Sequence, residues 1–370
     1  MEKIKLLYLT PHLSTGGMPQ FVLKRIQSLQ DYKDQVEIFL VEYSQFSNTY
    51  VVQRNQILDL LDVGHFWSLG GTNEKEKKYD LIKIIKDNNI DIVHAEEIPE
   101  AFESFNKMPF DLLNQLYDNF RTWKIKRALG VPVFAYKKLS LEKWLYAKLK
   151  LNFLPATHIC DRYIDTLSHF KVTNDGKGVD FYYPKEYSFS VSNLPTSHQA
   201  GFIAFVIGAS YFNKKMPATK WIELAIQLNM PIILIGGKED TSTAQIITSA
   251  VPHLIYNAVG KYSLNESASI IERAAVVVSH DTGFLHIATA FKKPTITLWG
   301  ATSPALQFEA YYPKEANMPY YNAIVSSLHC QPCSKQGDNH CPQGHFACMR
   351  LQNVNGIAAK AKAFYKGSNL

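Results

Sequence analysis

Short apolar runs rich in β-branched residues alternate along this chain with longer stretches in which apolar residues recur every three or four positions. That alternation is the signature of parallel strands covered on both faces by helices. In the first half the strand-like runs are Lys5–Thr10, Val36–Val41, Asp91–Ala95, Val131–Tyr136 and Thr157–Cys160. Helical spacing marks Pro19–Leu29, Lys75–Asn88, Asp111–Ala128 and Leu141–Leu149. The second half repeats the rhythm with strands at Phe202–Ile207, Pro231–Ile235, Leu254–Asn257, Ala275–Ser279 and Thr295–Trp299. Its helices are Ala218–Leu228, Thr241–Ala250, Leu264–Arg273 and Gly283–Phe291, and a last helix is expected over Val354–Tyr365. The expected class is α/β, with two Rossmann-like parallel sheets. The stretch Tyr182 to Gly201, YYPKEYSFSVSNLPTSHQAG, has neither period and reads as a linker, which sets the boundary between domains 1–185 and 186–370.

Length agrees with that division, since 370 residues at roughly 100–200 per domain make two full-sized cores. No run approaches the ~18 apolar residues of a membrane span, and Ile4–Leu9 is too short for a secretory signal, so a cytoplasmic protein is expected. The net charge of +6 is spread along the chain. It fits anionic ligands, or peripheral contact with the inner membrane surface, better than nucleic acid.

Open parallel sheets bind ligands beyond the carboxyl ends of their strands, so the chemistry is sought in the loops that follow strands. The run Ala275–Ser279 leads directly into His280-Asp281-Thr282-Gly283 and then a helix, whose first N–H groups and positive dipole end suit a diphosphate. Thr282 and His286 are four apart and share a helical face. The competing reading makes Asp281 or Thr282 only an N-cap and His286 a core residue. Gly300-Ala301-Thr302-Ser303-Pro304 forms a neighbouring loop, and Gly208 to Pro217 offers a glycine for close approach and Lys214 for phosphate charge.

From about Lys126 onward the chain resembles the heptosyltransferase-like glycosyltransferases of family nine. The resemblance is carried by GASYFNKKMPATKW, LIGGKED, AVGKYSLNESASIIERA, VVVSHDTGFLHIATAFKKPTITLWGATSP and HCQPCSKQGDNHCPQGHFACM. Those enzymes have two Rossmann domains facing a central cleft, the GT-B architecture, and use nucleotide-diphosphate sugars. The resemblance implies that Lys214, Asp281, Thr282, Gly283 and His286 hold the donor, with Thr302 nearby; Met216 stands where the family usually has tryptophan. Residues 1–125 are instead similar to family four of the GT-B enzymes, through TPHLSTGGMPQF and DIVHAEE, which would bring Gly16 and Gly17 to the donor phosphates. The change of resemblance near 120–126 reads as a join between two GT-B parents.

Such a transferase needs a base for the acceptor hydroxyl, and family-nine enzymes usually carry an acid in the loop after the first strand. Here no carboxylate lies between Thr10 and Gln20, which leaves His12, His94, Glu96 and Glu97 as candidates. Family four retains the anomeric configuration and family nine inverts it, so the two resemblances imply opposite outcomes. The expected function is transfer of a sugar from a nucleotide-diphosphate donor to a saccharide or lipid-linked glycan acceptor, without a catalytic metal. A nucleotide-sugar-binding scaffold without turnover, and a GT-B sugar epimerase, are the alternatives. Within the segment 329–349, Cys330, Cys333, Cys341 and Cys348 have spacing suited to a structural zinc or to loop-bracing thiols, whereas Cys160 is expected in a strand.

Overall fold

The computed structural model describes residues 3–13, 17–43, 52–69, 74–95, 112–115, 133–136, 139–326 and 328–368. It divides into two compact units, Met1–Lys138 with Arg162–Val172, and Leu139–Asp161 with Thr173–Leu370.

In the first unit, β1 (Ile4–Thr10), α1 (Gly17–Leu29), β2 (Val36–Glu42), α2 (Val52–Leu58), β3 (Phe66–Ser68), α3 (Glu74–Asp87), β4 (Ile92–Ala95), β5 (Leu112–Gln115) and β6 (Val133–Ala135) follow in order. They make a sheet in the order β3-β2-β1-β4-β5-β6. Every pairing is parallel, with Leu6 opposite Ile38 on one side of β1 and opposite Ile92 on the other. Strand side chains alternate between faces. Leu7 and Leu9 therefore pack with Phe39, Leu81 and Ile85, while Tyr8 joins Val22, Ile26 and Leu40 on the opposite side.

After α4 (Ser140–Leu149), α5 (Ile159–Ile164) and α6 (Thr196–Gln199), the second unit builds β7 (Ile203–Val206), α7 (Ala218–Leu228), β8 (Ile232–Ile235), α8 (Thr241–Ala250) and β9 (Ile255–Asn257). It continues through α9 (Leu264–Arg273), β10 (Val276–His280), α10 (Gly283–Ala290), β11 (Thr295–Leu298), β12 (Tyr320–Ala323), α11 (Ala347–Arg350) and α12 (Val354–Ser368). The sheet order is β12-β11-β10-β7-β8-β9, again all parallel. Ile203 and Phe205 face one core, Ala204 and Val206 the other. Helix α12 turns Val354, Ile357, Ala358 and Ala361 onto the core shared with Trp221, Leu224 and Leu228 of α7, so it belongs to the second unit.

Two sequence expectations are corrected. Thr157–Cys160 is not a strand: the Cys160 amide donates to His158 Nδ1 and α5 begins at Ile159, placing Cys160 in a helix. The expected helix Asp111–Ala128 contains strand β5, because pairing with β4 and β6 overrides local periodicity; residues 116–128 lie outside the described residues. The edge strands β3 and β12 were not anticipated, being too short to show a period. The Tyr182–Gly201 segment is tied into the second unit. The Phe189 amide donates to Ser269 Oγ at 2.8 Å and Arg273 Nη2 to Ser188 Oγ at 2.9 Å. Among the described residues no helix is long and apolar enough to cross a membrane.

Candidate functional site

Each sheet reverses its strand order between its first and fourth strands, and such switch points open a crevice beyond the strand ends. In the second unit this point lies between β7 and β10. The loop after β7 carries Lys214, and the turn after β10 carries Asp281-Thr282-Gly283. A pocket of about 630 Å³ opens here, within the usual range for a small-molecule site. Gly208, Ala209 and Ser210 line it from β7, Gly236, Gly237 and Glu239 from β8, and Thr282, Gly283 and His286 from α10. Cys160, Asp180 and Phe181 of the same unit close another wall.

Among the described residues no side chain caps the first turn of α10, and that turn contains no acid. Thr282 occupies the N-cap position with extended backbone, yet its hydroxyl lies 3.4 Å from Ser279 Oγ. Neither it nor Asp281 is a side-chain cap, so the first N–H groups of the helix have no side-chain acceptor among the described residues. A side chain built on Gly283 would meet nothing within 4 Å, so the helix start is open on the pocket side.

Behind this turn lies a buried charge pair. Lys214 Nζ is 2.8 Å from Asp281 Oδ2 and donates to the Asp281 carbonyl at 2.8 Å, while Thr302 Oγ1 donates to Asp281 Oδ2 at 2.9 Å. Asp281 and Thr302 are buried, and neither they nor Lys214 line the pocket itself. In this geometry Asp281 holds the lysine ammonium. His286 is half-buried on the pocket wall, and burial lowers its pKa against the opposing pull of Asp281. Burial thus disfavours its charged form.

The Lys214 loop is held from three sides. The buried Asn213 donates through Nδ2 to the His340 carbonyl at 3.0 Å and accepts the Asp338 amide at Oδ1, 2.8 Å away. The Ala301 amide reaches the Asn213 carbonyl at 3.0 Å, an approach that requires Gly300: a Cβ there would stand 2.3 Å from that oxygen. Third, the fully buried His280 accepts the Met216 amide at Nε2 (2.9 Å), with Nδ1 3.2 Å from the Gly208 carbonyl. Burial pushes its pKa down to about 4. Sequence reasoning overlooked His280, Asn213 and Gln331. The one available signal was a histidine ending an otherwise apolar strand.

The cysteine-rich segment acts here as a buttress. Gln331 Nε2 donates to the carbonyls of Trp299, Gly300 and Thr302, and Lys150 Nζ donates to those of Cys330 and Pro332. Cys330, Cys333, Cys341 and Cys348 are free thiols. Burial, reinforced by the neighbouring thiols, pushes Cys348 up to about 12. Among the described residues no three His, Cys, Asp or Glu side chains form a group that could hold a metal ion.

In the first unit, His94 lies within β4, buried, its ring 5.0 Å from that of Tyr8. His12 follows β1, and its carbonyl accepts from Thr10 Oγ1 at 3.2 Å. Gly17 opens α1, while Gly16, Glu96 and Glu97 lie outside the described residues.

Two parallel six-stranded sheets, each in Rossmann order, give an α/β fold that matches GT-B glycosyltransferase structures. Residues 123–342 match the sequence profile of Glycosyltransferase family 9 (heptosyltransferase), and the chain belongs to that family. It is similar to Lipooligosaccharide heptosyltransferase 2 of Haemophilus influenzae, 32% identical over 114 residues covering 28% of this chain and 32% of that protein. Lipopolysaccharide heptosyltransferase 2 of Escherichia coli is 27% identical over 127 residues, 32% of this chain and 36% of that protein. These matches thus span about a third of the length of each curated relative. In fold the chain is similar to the family 9 glycosyl transferase of Veillonella parvula, with a TM-score of 0.55, 17% identity and 99% of both chains covered. The E. coli ADP-heptose lps heptosyltransferase II likewise gives a TM-score of 0.55, at 15% identity, covering 99% of this chain and 100% of that one.

Proposed function

We propose that this protein is a glycosyltransferase that binds a nucleoside-diphosphate sugar in the pocket between the β7 and β10 loops and passes the sugar to a saccharide or lipid-linked glycan. The observation that carries this reading is the uncapped start of α10 facing a pocket with Lys214 held behind it. As the glycosidic bond to the donor breaks, negative charge grows on the departing diphosphate. Preorganised N–H groups and an ammonium stabilise that charge without moving at the moment of reaction. His286 in neutral form adds a hydrogen-bonding group at the same place. The names of the relatives support a heptose donor of the ADP-heptose type and a lipopolysaccharide acceptor, and work at the cytoplasmic face of a membrane belongs to the same proposal.

His12 and His94 are the candidate proton acceptors among the described residues, and Glu96 and Glu97 the candidates outside them. A family-four origin for residues 1–125 belongs to the same proposal. It is supported by the start of the family match at residue 123, and it would place the join between two adjacent paired strands, β5 and β6.

The test is donor turnover. With ADP-, GDP- and UDP-sugars, one donor should raise the melting temperature of the protein and be consumed when a lipopolysaccharide-core acceptor is supplied, and Lys214→Ala should abolish consumption. Thermal protection without consumption would replace the transferase by a binding scaffold. Isomerised donor in the absence of acceptor would replace it by an epimerase.

A further inference from the structure

The loop from Gly208 to Met216 leaves the sheet at β7, carries Lys214 and returns to α7. Both of its ends meet one side chain. Nε2 of His280 accepts the Met216 amide at 2.9 Å, and Nδ1 faces the Gly208 carbonyl at 3.2 Å. A carbonyl can only accept and an amide N–H can only donate, so the two partners together require the neutral ring with its proton on Nδ1. The ring is fully buried, and Trp221 packs edge-on against it with centroids 5.5 Å apart, which fixes its plane. The next residue, Asp281, receives the Lys214 ammonium. The span of the loop and the anchor for its lysine are therefore set by two consecutive residues at the end of β10, across the switch point.

We propose that His280 is the positioning residue for Lys214: its imidazole closes both ends of the loop and so holds the ammonium on Asp281, behind the helix start that would take the diphosphate. This rests on the donor-site reading above and adds to it a group that never touches the ligand. A leucine at 280 would fill the space and leave the loop unstapled. Asparagine keeps a donor near the Nδ1 position, and glutamine keeps an acceptor near the Nε2 position.

Calorimetric titration of the full chain with inorganic pyrophosphate and with ADP tests this. H280L should weaken pyrophosphate binding about tenfold, the effect of losing two ordinary hydrogen bonds, while H280N and H280Q recover part of it. In a K214A background, H280L should change affinity less than about twofold, because residues acting through a shared partner are not additive. Wild-type affinity in H280L, or the same tenfold loss with and without Lys214, would overturn the proposal. If the wild-type protein binds neither probe, the donor-site reading itself falls and takes the positioning role with it. Should H280L fail to fold, nitrogen NMR of the wild-type ring decides: Nδ1–H with bare Nε2 at neutral pH supports the proposal, and a protonated Nε2 refutes it.

Discussion

The two sheets share one strand order, yet their first loops are held from opposite flanks. In the first unit the chain after β1 is anchored from β2. The Leu13 amide donates to Glu42 Oε1 at 2.8 Å, Ser68 Oγ donates to Oε2 at 3.0 Å, and Arg54 lies 3.5 Å from the same carboxylate. In the second unit the loop after β7 is anchored from β10, across the switch point, by His280 and Asp281. A buried acid on the β2 side fixes backbone and little else. An anchor across the switch point holds a lysine behind the turn that opens the pocket of the second unit. On the function proposed above, topology alone does not make a donor site; the flank that holds the loop does.

The comparison breaks most visibly at Asp281. Asp281→Ala leaves the nearly buried Lys214 ammonium with only the residue-281 carbonyl, and removing one member of a buried pair costs about 3–5 kcal/mol. Urea unfolding should show that loss in the second unit, together with loss of pyrophosphate binding. Next in size is acid. The unfolded histidine takes up a proton near its ordinary 6.5, whereas buried His280 resists down to about 4, in a field set by Asp240, Lys214 and Lys215. Between those values the unfolded chain binds more protons, so the contribution of His280 is complete above pH 6.5 and is lost as pH falls toward 4. The integrated effect is on the order of 3 kcal/mol. Melting temperatures from pH 7 to 4 should fall, and the decline should be shallower in H280Q.

The second unit was far more legible in the sequence than the first. Ala218–Leu228, Thr241–Ala250 and Leu264–Arg273 follow directly from helical spacing, and Ser263 with Glu266 forms the capping box that starts α9. In the first unit, apolar residues at mixed spacing in Asp111–Ala128 imitate a helix, although Leu112–Gln115 pairs as a strand. The candidate site was legible as a list of residues, not as roles. Lys214, Thr282, Gly283 and His286 stand out because loop glycines and polar residues after apolar strands mark strand ends. That Asp281 turns toward Lys214, and that His280 staples two backbone atoms 72 and 64 residues away, are tertiary facts without a local pattern. Glu42 was missed for the same reason: as the last residue of an apolar strand it resembles any exposed strand end, yet it is buried against three partners.

Glu42→Ala sharpens the contrast from the other side. It strips the acceptor from the Leu13 amide and the Ser68 hydroxyl, worth about 2 kcal/mol. Amide exchange should accelerate around β1 and β2 while pyrophosphate affinity in the second unit stays within about twofold. A comparable loss of affinity would show that the acid-anchored loop also serves the donor, and the contrast between flanks would fail.

The smallest effect on stability is expected at Gly283, where the sign reverses. Its backbone lies outside the left-handed region, and an added Cβ meets no atom within 4 Å, so alanine fits the first helical position without strain. By restricting the unfolded chain it should stabilise the fold by about 0.4–1 kcal/mol. The same methyl group projects where the open helix start faces the pocket, so pyrophosphate binding should weaken roughly tenfold, equivalent to about one lost contact to a charged group. A variant that melts higher and binds worse would identify this glycine as kept for the ligand rather than for the chain. If Gly283→Ala melts higher and binds pyrophosphate as well as the wild type, the anion does not sit at the helix start, and the anchoring of Lys214 across the switch point would need another purpose.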